Sequence, residues 1–170
     1  IKIVHTSLDA GINFFDTADI YGGTLSETYL GSALKGCREE AIVATKFGMQ
    51  VDESRKGAHP DYVRQAVDDS LQRLQMDYID LYQLHAPDIS VPIADTLGAL
   101  NDLVSEGKVR EIGCSNFTAS QLHEANSAAA DGVGFVSVQN EYSILFRGDE
   151  AEIFPACKEL GVGYLSLIHI

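Results

Sequence analysis

Asp16, Tyr21, Lys46 and His85 are a carboxylate, a phenol, an ammonium and an imidazole, and each stands at or just beyond the end of a strand-like run. Asp16 closes Asn13-Phe14-Phe15-Asp16, and Tyr21 follows in the loop Thr17-Ala18-Asp19-Ile20-Tyr21-Gly22. Lys46 closes Ala41-Ile42-Val43-Ala44-Thr45-Lys46, and His85 closes Ile79-Asp80-Leu81-Tyr82-Gln83-Leu84-His85. Gathered at one place, such groups make a proton-transfer centre. A lone tyrosine, with a pKa near 10, is a poor acid at neutral pH. An ammonium against a phenol oxygen favours the phenolate, and a carboxylate beside the ammonium keeps it charged. That relay can donate a proton to a developing alkoxide while the imidazole orients the carbonyl oxygen. Reduction of an aldehyde or ketone by hydride fits the set, and the hydride has to come from a cofactor because no side chain supplies one.

Taken singly, each residue has a plainer reading. Asp16 also suits a turn-capping carboxylate, Tyr21 before Gly22-Gly23 a loop cover, Lys46 a solvated surface amine, and His85 before Ala86-Pro87 a packed histidine. Lys46 also suits a Schiff-base amine in a non-redox barrel. Their shared placement at strand ends favours the joint reading, since a parallel barrel builds its active site on the C-terminal face of its strands.

The elements that would position them alternate along the chain. Strand-like runs end near Asp16, Lys46, His85, Ser115, Gln139 and Leu167, each separation long enough for a crossover helix and two loops. Pro60 and Pro92 each open a helical period, the first carrying Val63, Ala66, Val67, Leu71 and Leu74 on one face. The second buries Leu97, Leu100 and Val104 and stops at Gly107. Thr118-Ala119-Ser120-Gln121 is a capping box, Ile153, Cys157 and Leu160 form a last helix ending at Gly161, and the first ten residues read as a helix ended by Gly11. This repetition selects a parallel sheet covered by helices. No G-x-G-x-x-G follows an early strand, so a closed barrel is preferred to a doubly wound sheet.

Composition narrows the partners. The chain has 170 residues, 12 basic and 25 acidic, for a net charge of −13, which opposes a nucleic-acid or anionic-membrane surface. A small anionic cofactor remains compatible, held by backbone amides and local cations. Apolar runs are too short to span a bilayer, and no signal peptide is visible. Cys37, Cys114 and Cys157 are odd in number and far apart, as expected for free thiols in a cytoplasmic protein. His5, His59 and His123 have no partners at ligand spacing, so no metal is expected.

Several spaced motifs, in order, resemble the aldo-keto reductase family. They are Asp9 to Ala18, Ile20-Tyr21-Gly22, Thr45-Lys46, Asp77 to His85, Gly107 to Gly113, Ser115-Asn116-Phe117 and Gln139-Asn140-Glu141-Tyr142. The resemblance implies an (α/β)₈ TIM barrel, present here in part with six strands, and reversible NADPH-dependent reduction of small carbonyl substrates. It would make Tyr21 the general acid, Lys46 and Asp16 its tuning pair, and His85 the group that positions the carbonyl. Ser115, Asn116 and Gln139 would hydrogen-bond the nicotinamide carboxamide. The family's residues for the adenosine 2′-phosphate have no counterpart here, so NADH stays open beside NADPH. The family also contains channel-associated regulatory subunits, which bind cofactor chiefly to control a partner, and Glu141-Tyr142-Ser143 resembles the longer-subunit branch that includes them.

The family's first strand has no counterpart before Ile1, and its pattern fails after Tyr164, where an aromatic residue and a proline are expected. The domain is therefore expected to be residues 1–164, with Leu165-Ser166-Leu167-Ile168-His169-Ile170 a non-native tail. An unclosed barrel exposes its strand edges, so the isolated chain is expected to self-associate and to lack activity. Phe47, Met49 and Phe117 are expected to line the substrate pocket.

Overall fold

The computed structural model describes residues 1–129 and 132–167. Six strands, β1 (Phe14–Asp16), β2 (Ile42–Phe47), β3 (Ile79–Leu84), β4 (Val109–Ser115), β5 (Ser137–Glu141) and β6 (Gly163–Leu167), pair in chain order. Every pairing is parallel, so the sheet is a half-barrel with β1 and β6 as its edges. Six helices cover its outer face: α1 (Lys2–Asp9), α2 (Leu25–Leu34), α3 (Pro60–Leu74), α4 (Ile93–Ser105), α5 (Ala119–Ala129) and α6 (Ile153–Leu160). No helix among the described residues is long and apolar enough to cross a membrane.

Local chemistry sets the helix ends. Pro60 starts α3 after His59, whose Nδ1 accepts from the Asp61 amide, and α3 stops where Gln75 turns left-handed at φ 56°. Ahead of α5, the Thr118 amide donates to Gln121 Oε1 while Thr118 Oγ1 accepts from the Gln121 amide, the reciprocal capping box. Gly161, at φ 70°, ends α6.

The core lies between the sheet and the helices. Phe47 and Tyr82 stack at 4.6 Å between ring centroids, and Val63, Val67, Leu97, Leu100, Ile112 and Val138 are buried around them. Each such side chain contributes about 1.5–3 kcal/mol on burial. Cys37, Cys114 and Cys157 are free thiols, and burial pushes Cys114 well above the ordinary thiol range, which makes it unreactive.

Two strand ends differ slightly from the sequence reading. β3 stops at Leu84, but the His85 amide still donates to Phe47 O at 2.8 Å, so the ladder carries His85 one bond further. Leu165 and Leu167 pair with Gln139 and Glu141 in β6. The expected tail therefore includes strand residues 165–167, while residues 168–170 lie outside the described residues.

Candidate active site

Strand register places the chemistry. Successive side chains of a strand alternate between faces. Lys46 is paired with Gln83, Gln83 with Gly113, and Ser115 with Gln139, which puts Lys46, Gln83, Ser115 and Gln139 on the inner face near the C-terminal ends of their strands. Phe47, next to Lys46, must then face the helices. It is fully buried there, which corrects the expectation that it lines a pocket. Phe117 is likewise buried, against Phe135 at 5.7 Å between centroids; of the three, only Met49 is substantially exposed.

The structure brings the four expected proton-transfer residues together. Lys46 is 0% exposed, and its Nζ donates to Asp16 Oδ2 at 2.5 Å, to Thr17 O at 2.9 Å and to Tyr21 Oη at 3.4 Å. An isolated buried ammonium would be costly; here all three of its protons have acceptors. The second oxygen of Asp16 accepts from Gln83 Nε2 at 3.2 Å, so the carboxylate is held from two strands. His85 meets the Tyr21 ring edge-on, with centroids 5.7 Å apart at 80°. Desolvation, then the Lys46 ammonium, lowers the His85 pKa to about 4, with Asp16 opposing. The imidazole is therefore neutral through the physiological range, and its buried Nδ1 has no partner.

The loop carrying Tyr21 is fixed at its base. The Thr17 amide donates to Ala44 O and the Asp19 amide to Lys46 O at 3.0 Å, so the loop continues the β1–β2 ladder. Gly22 and Gly23, at φ 61° and 63°, then turn the chain sharply into α2, conformations that carry little cost only for glycine.

A second cluster sits at the ends of β4 and β5. Ser115 Oγ donates to Gln139 O at 2.7 Å, and Asn116 Nδ2 donates to His85 O at 2.9 Å and to Ser115 Oγ at 3.2 Å. Asn116 adopts φ 60°, a left-handed conformation that asparagine tolerates better than most residues, and this turns its amide back towards β3. Gln139 is 4% exposed with Oε1 unpartnered. The second cluster is thereby hydrogen-bonded to the backbone of the first.

Sequence reasoning passed over Gln83, Asp19 and Asn140. Gln83 was legible, because it lies two residues before His85 and so shares its face. Asn140 accepts from the Phe117 amide and donates to Phe117 O and Asp149 Oδ2, holding the segment after β4; a polar residue in a buried strand was its only signal. Asp19 is 2% exposed with neither carboxylate oxygen hydrogen-bonded, and nothing in the loop sequence announces that burial.

Comparison with known proteins decides the family. The model of the Aldo/keto reductase family matches residues 1–167. The chain belongs to that family. It is 41% identical over 167 residues to a protein named probable aldo-keto reductase 1 from Glycine max, covering 96% of this chain and 47% of that protein. The solved structure of an aldo-keto reductase from Bacillus halodurans, in its holo form, is similar with a TM-score of 0.87 and 40% identity, over 97% of this chain and 55% of that one. The chain thus spans about half the length of these aldo-keto reductases, and its six parallel strands are part of their (β/α)₈ barrel.

Proposed function

We propose that the chain carries the catalytic half of an NADPH-dependent aldo-keto reductase that converts aldehydes or ketones to alcohols. The observation that carries this reading is the triple contact of the Lys46 ammonium with Asp16, Thr17 O and the Tyr21 phenol, beside a neutral His85. The donor set of the second cluster fits a nicotinamide carboxamide. Gln139 Oε1 is buried and unpartnered, an acceptor for an amide N–H, and the side chains of Ser115 and Asn116 stand beside it.

When bound, a reduced nicotinamide supplies the hydride that the carbonyl carbon gains. Tyr21 donates its phenolic proton to the carbonyl oxygen as that oxygen becomes an alkoxide, and recovers a proton from solvent, to which it is 38% exposed. Lys46 stabilises the phenolate left behind, and Asp16 keeps Lys46 charged and aimed. Neutral His85 hydrogen-bonds the carbonyl oxygen without competing for the proton. Ser115, Asn116 and Gln139 fix which ring face meets the substrate.

The test is NADPH oxidation with a panel of aldehydes and ketones by a complete barrel carrying residues 1–167. A reductase turns over at about 1 s⁻¹ or faster with its best substrate. Cofactor binding with turnover far below that on every carbonyl offered would refute an enzyme and point to the channel-associated regulatory type. NADH in place of NADPH decides the cofactor.

A further inference from the structure

The loops that follow β2 and β3 leave the sheet next to Lys46 and His85, and one carboxylate ties them together. Asp88 Oδ2 accepts from the Ala58 amide at 2.9 Å, while Oδ1 accepts from the Ser90 amide at 3.0 Å and from Ser90 Oγ at 2.6 Å. Gly57 lies under this contact: at φ +82° it is left-handed, and a Cβ there would sit 2.7 Å from Asp88 Oδ2. A Cβ at 57 would displace the Asp88 carboxylate from the Ala58 amide. The base of the first loop is closed by the Gly57 amide on Gly48 O at 2.9 Å, and Thr96 of α4 donates to Ala58 O at 3.0 Å. Ala58 is therefore held at both its N–H, by Asp88, and its carbonyl, by Thr96.

Between the loops lies a cleft with Met49, Ile89 and Val91 among its lining residues, beginning at Gly48 and Ala86 just beyond the strands that carry Lys46 and His85. Ile89 is 96% exposed and Met49 41%, an apolar surface beside a polar centre. Ser90's hydroxyl holds the Asp88 carboxyl below its ordinary range, so the tie keeps its charge at neutral pH.

We propose that Asp88 is a specificity-determining positioning residue: it fastens the loops after β2 and β3 into one wall, and the apolar cleft between them receives the hydrocarbon or aryl substituent of the carbonyl substrate. The proposal rests on the reductase reading for its substrate and on the hydrogen bonds alone for its clamp. Asp88 touches no reacting atom. It acts through Met49, Ile89 and Val91, so loss of the tie weakens binding of substrates long enough to reach them and spares short ones.

The test compares wild type, Asp88→Ala and Asp88→Asn in a complete barrel carrying this segment, with propanal and 3-phenylpropanal as substrates. The expected result is a rise of tenfold or more in KM for 3-phenylpropanal, with KM and kcat for propanal and the NADPH Kd within twofold of wild type. Equal changes for both aldehydes, or none for either, would overturn it, because a merely structural role lowers stability without separating the two substrates. Amide hydrogen exchange gives a reading independent of turnover. Ala58 exchange should accelerate in Asp88→Ala, which has no acceptor left for that amide, and unchanged exchange there would overturn the clamp. A wild-type barrel that reduces neither aldehyde but loses Ala58 protection in Asp88→Ala would refute the reductase reading and leave the clamp standing.

Discussion

Replacing Asp19 by asparagine should stabilise the protein at alkaline pH and leave it unchanged in acid. The side chain is 2% exposed, neither oxygen has a hydrogen-bond partner, and the Tyr82 hydroxyl is buried and equally unpartnered. Desolvation first, then the Glu27 carboxylate, raises the Asp19 pKa from 3.8 to about 7, with the Arg73 charge, the nearby Ile20 amide (outside hydrogen-bonding geometry) and Arg55 pulling the other way. The folded state therefore binds the proton more tightly than the unfolded chain, and stability falls as pH rises from about 4 to about 7. A shift of about 3 units at 1.36 kcal/mol each amounts to about 4 kcal/mol of lost stability above pH 7. Asparagine has nearly the same shape and no charge to bury, and it gives up no hydrogen bond made by the carboxylate oxygens. Urea unfolding of a complete barrel carrying this segment at pH 4.5, 6 and 8, with and without Asp19→Asn, reads the difference. It should be about 1 kcal/mol at pH 4.5, where the loss has only begun, and grow to about 4 kcal/mol in favour of the variant at pH 8. A difference that does not change with pH, or a variant less stable at pH 8, would refute the reasoning.

Three further outcomes follow from the same geometry. Gly31→Ala should cost about 3 kcal/mol or more, seen as a lowered midpoint in thermal unfolding, because a Cβ there would run into the Leu74 carbonyl and lie 2.8 Å from Leu74 Cα. His85, held near pH 4, should leave the pH profile of kcat/KM without a histidine limb between pH 5 and 8; a limb near 6.5 that vanishes in His85→Asn would contradict this. The same depression means that the unfolded chain binds the His85 proton more readily between pH 6.5 and 4, so this stabilisation is complete above pH 6.5 and lost as pH falls through that window. Discounted for partial exposure it is about 2 kcal/mol, measured as the pH-dependent part of the His85→Asn stability difference.

The strands were legible because short runs with apolar residues recur at spacings that leave room for a crossover helix, and most helices because proline, glycine and a capping box mark their ends. α2 was not located, and its packing explains why. Leu25–Leu34 meets α3 through the backbone approach at Gly31 and buries a charge, Glu27, which accepts from Thr45 Oγ1 and from Arg73 Nε, both at 2.6 Å. Neither device writes an apolar stripe. The grouping of Asp16, Tyr21, Lys46 and His85 was legible from side-chain type and place at strand ends, whereas the link from Asn116 Nδ2 to His85 O depends on a left-handed backbone that the sequence does not display. The direction of Phe47 could have been read from parity with Lys46, since adjacent residues of a strand face opposite ways.

The most direct test is the rate of NADPH-dependent aldehyde reduction by Tyr21→Phe beside wild type in a complete barrel, with the NADPH Kd measured on both. Removing one hydroxyl, whose Lys46 contact is 3.4 Å, should lower kcat by about 10²–10⁴-fold and leave cofactor affinity within twofold. A variant that keeps most of the wild-type rate would show that Tyr21 is not the acid.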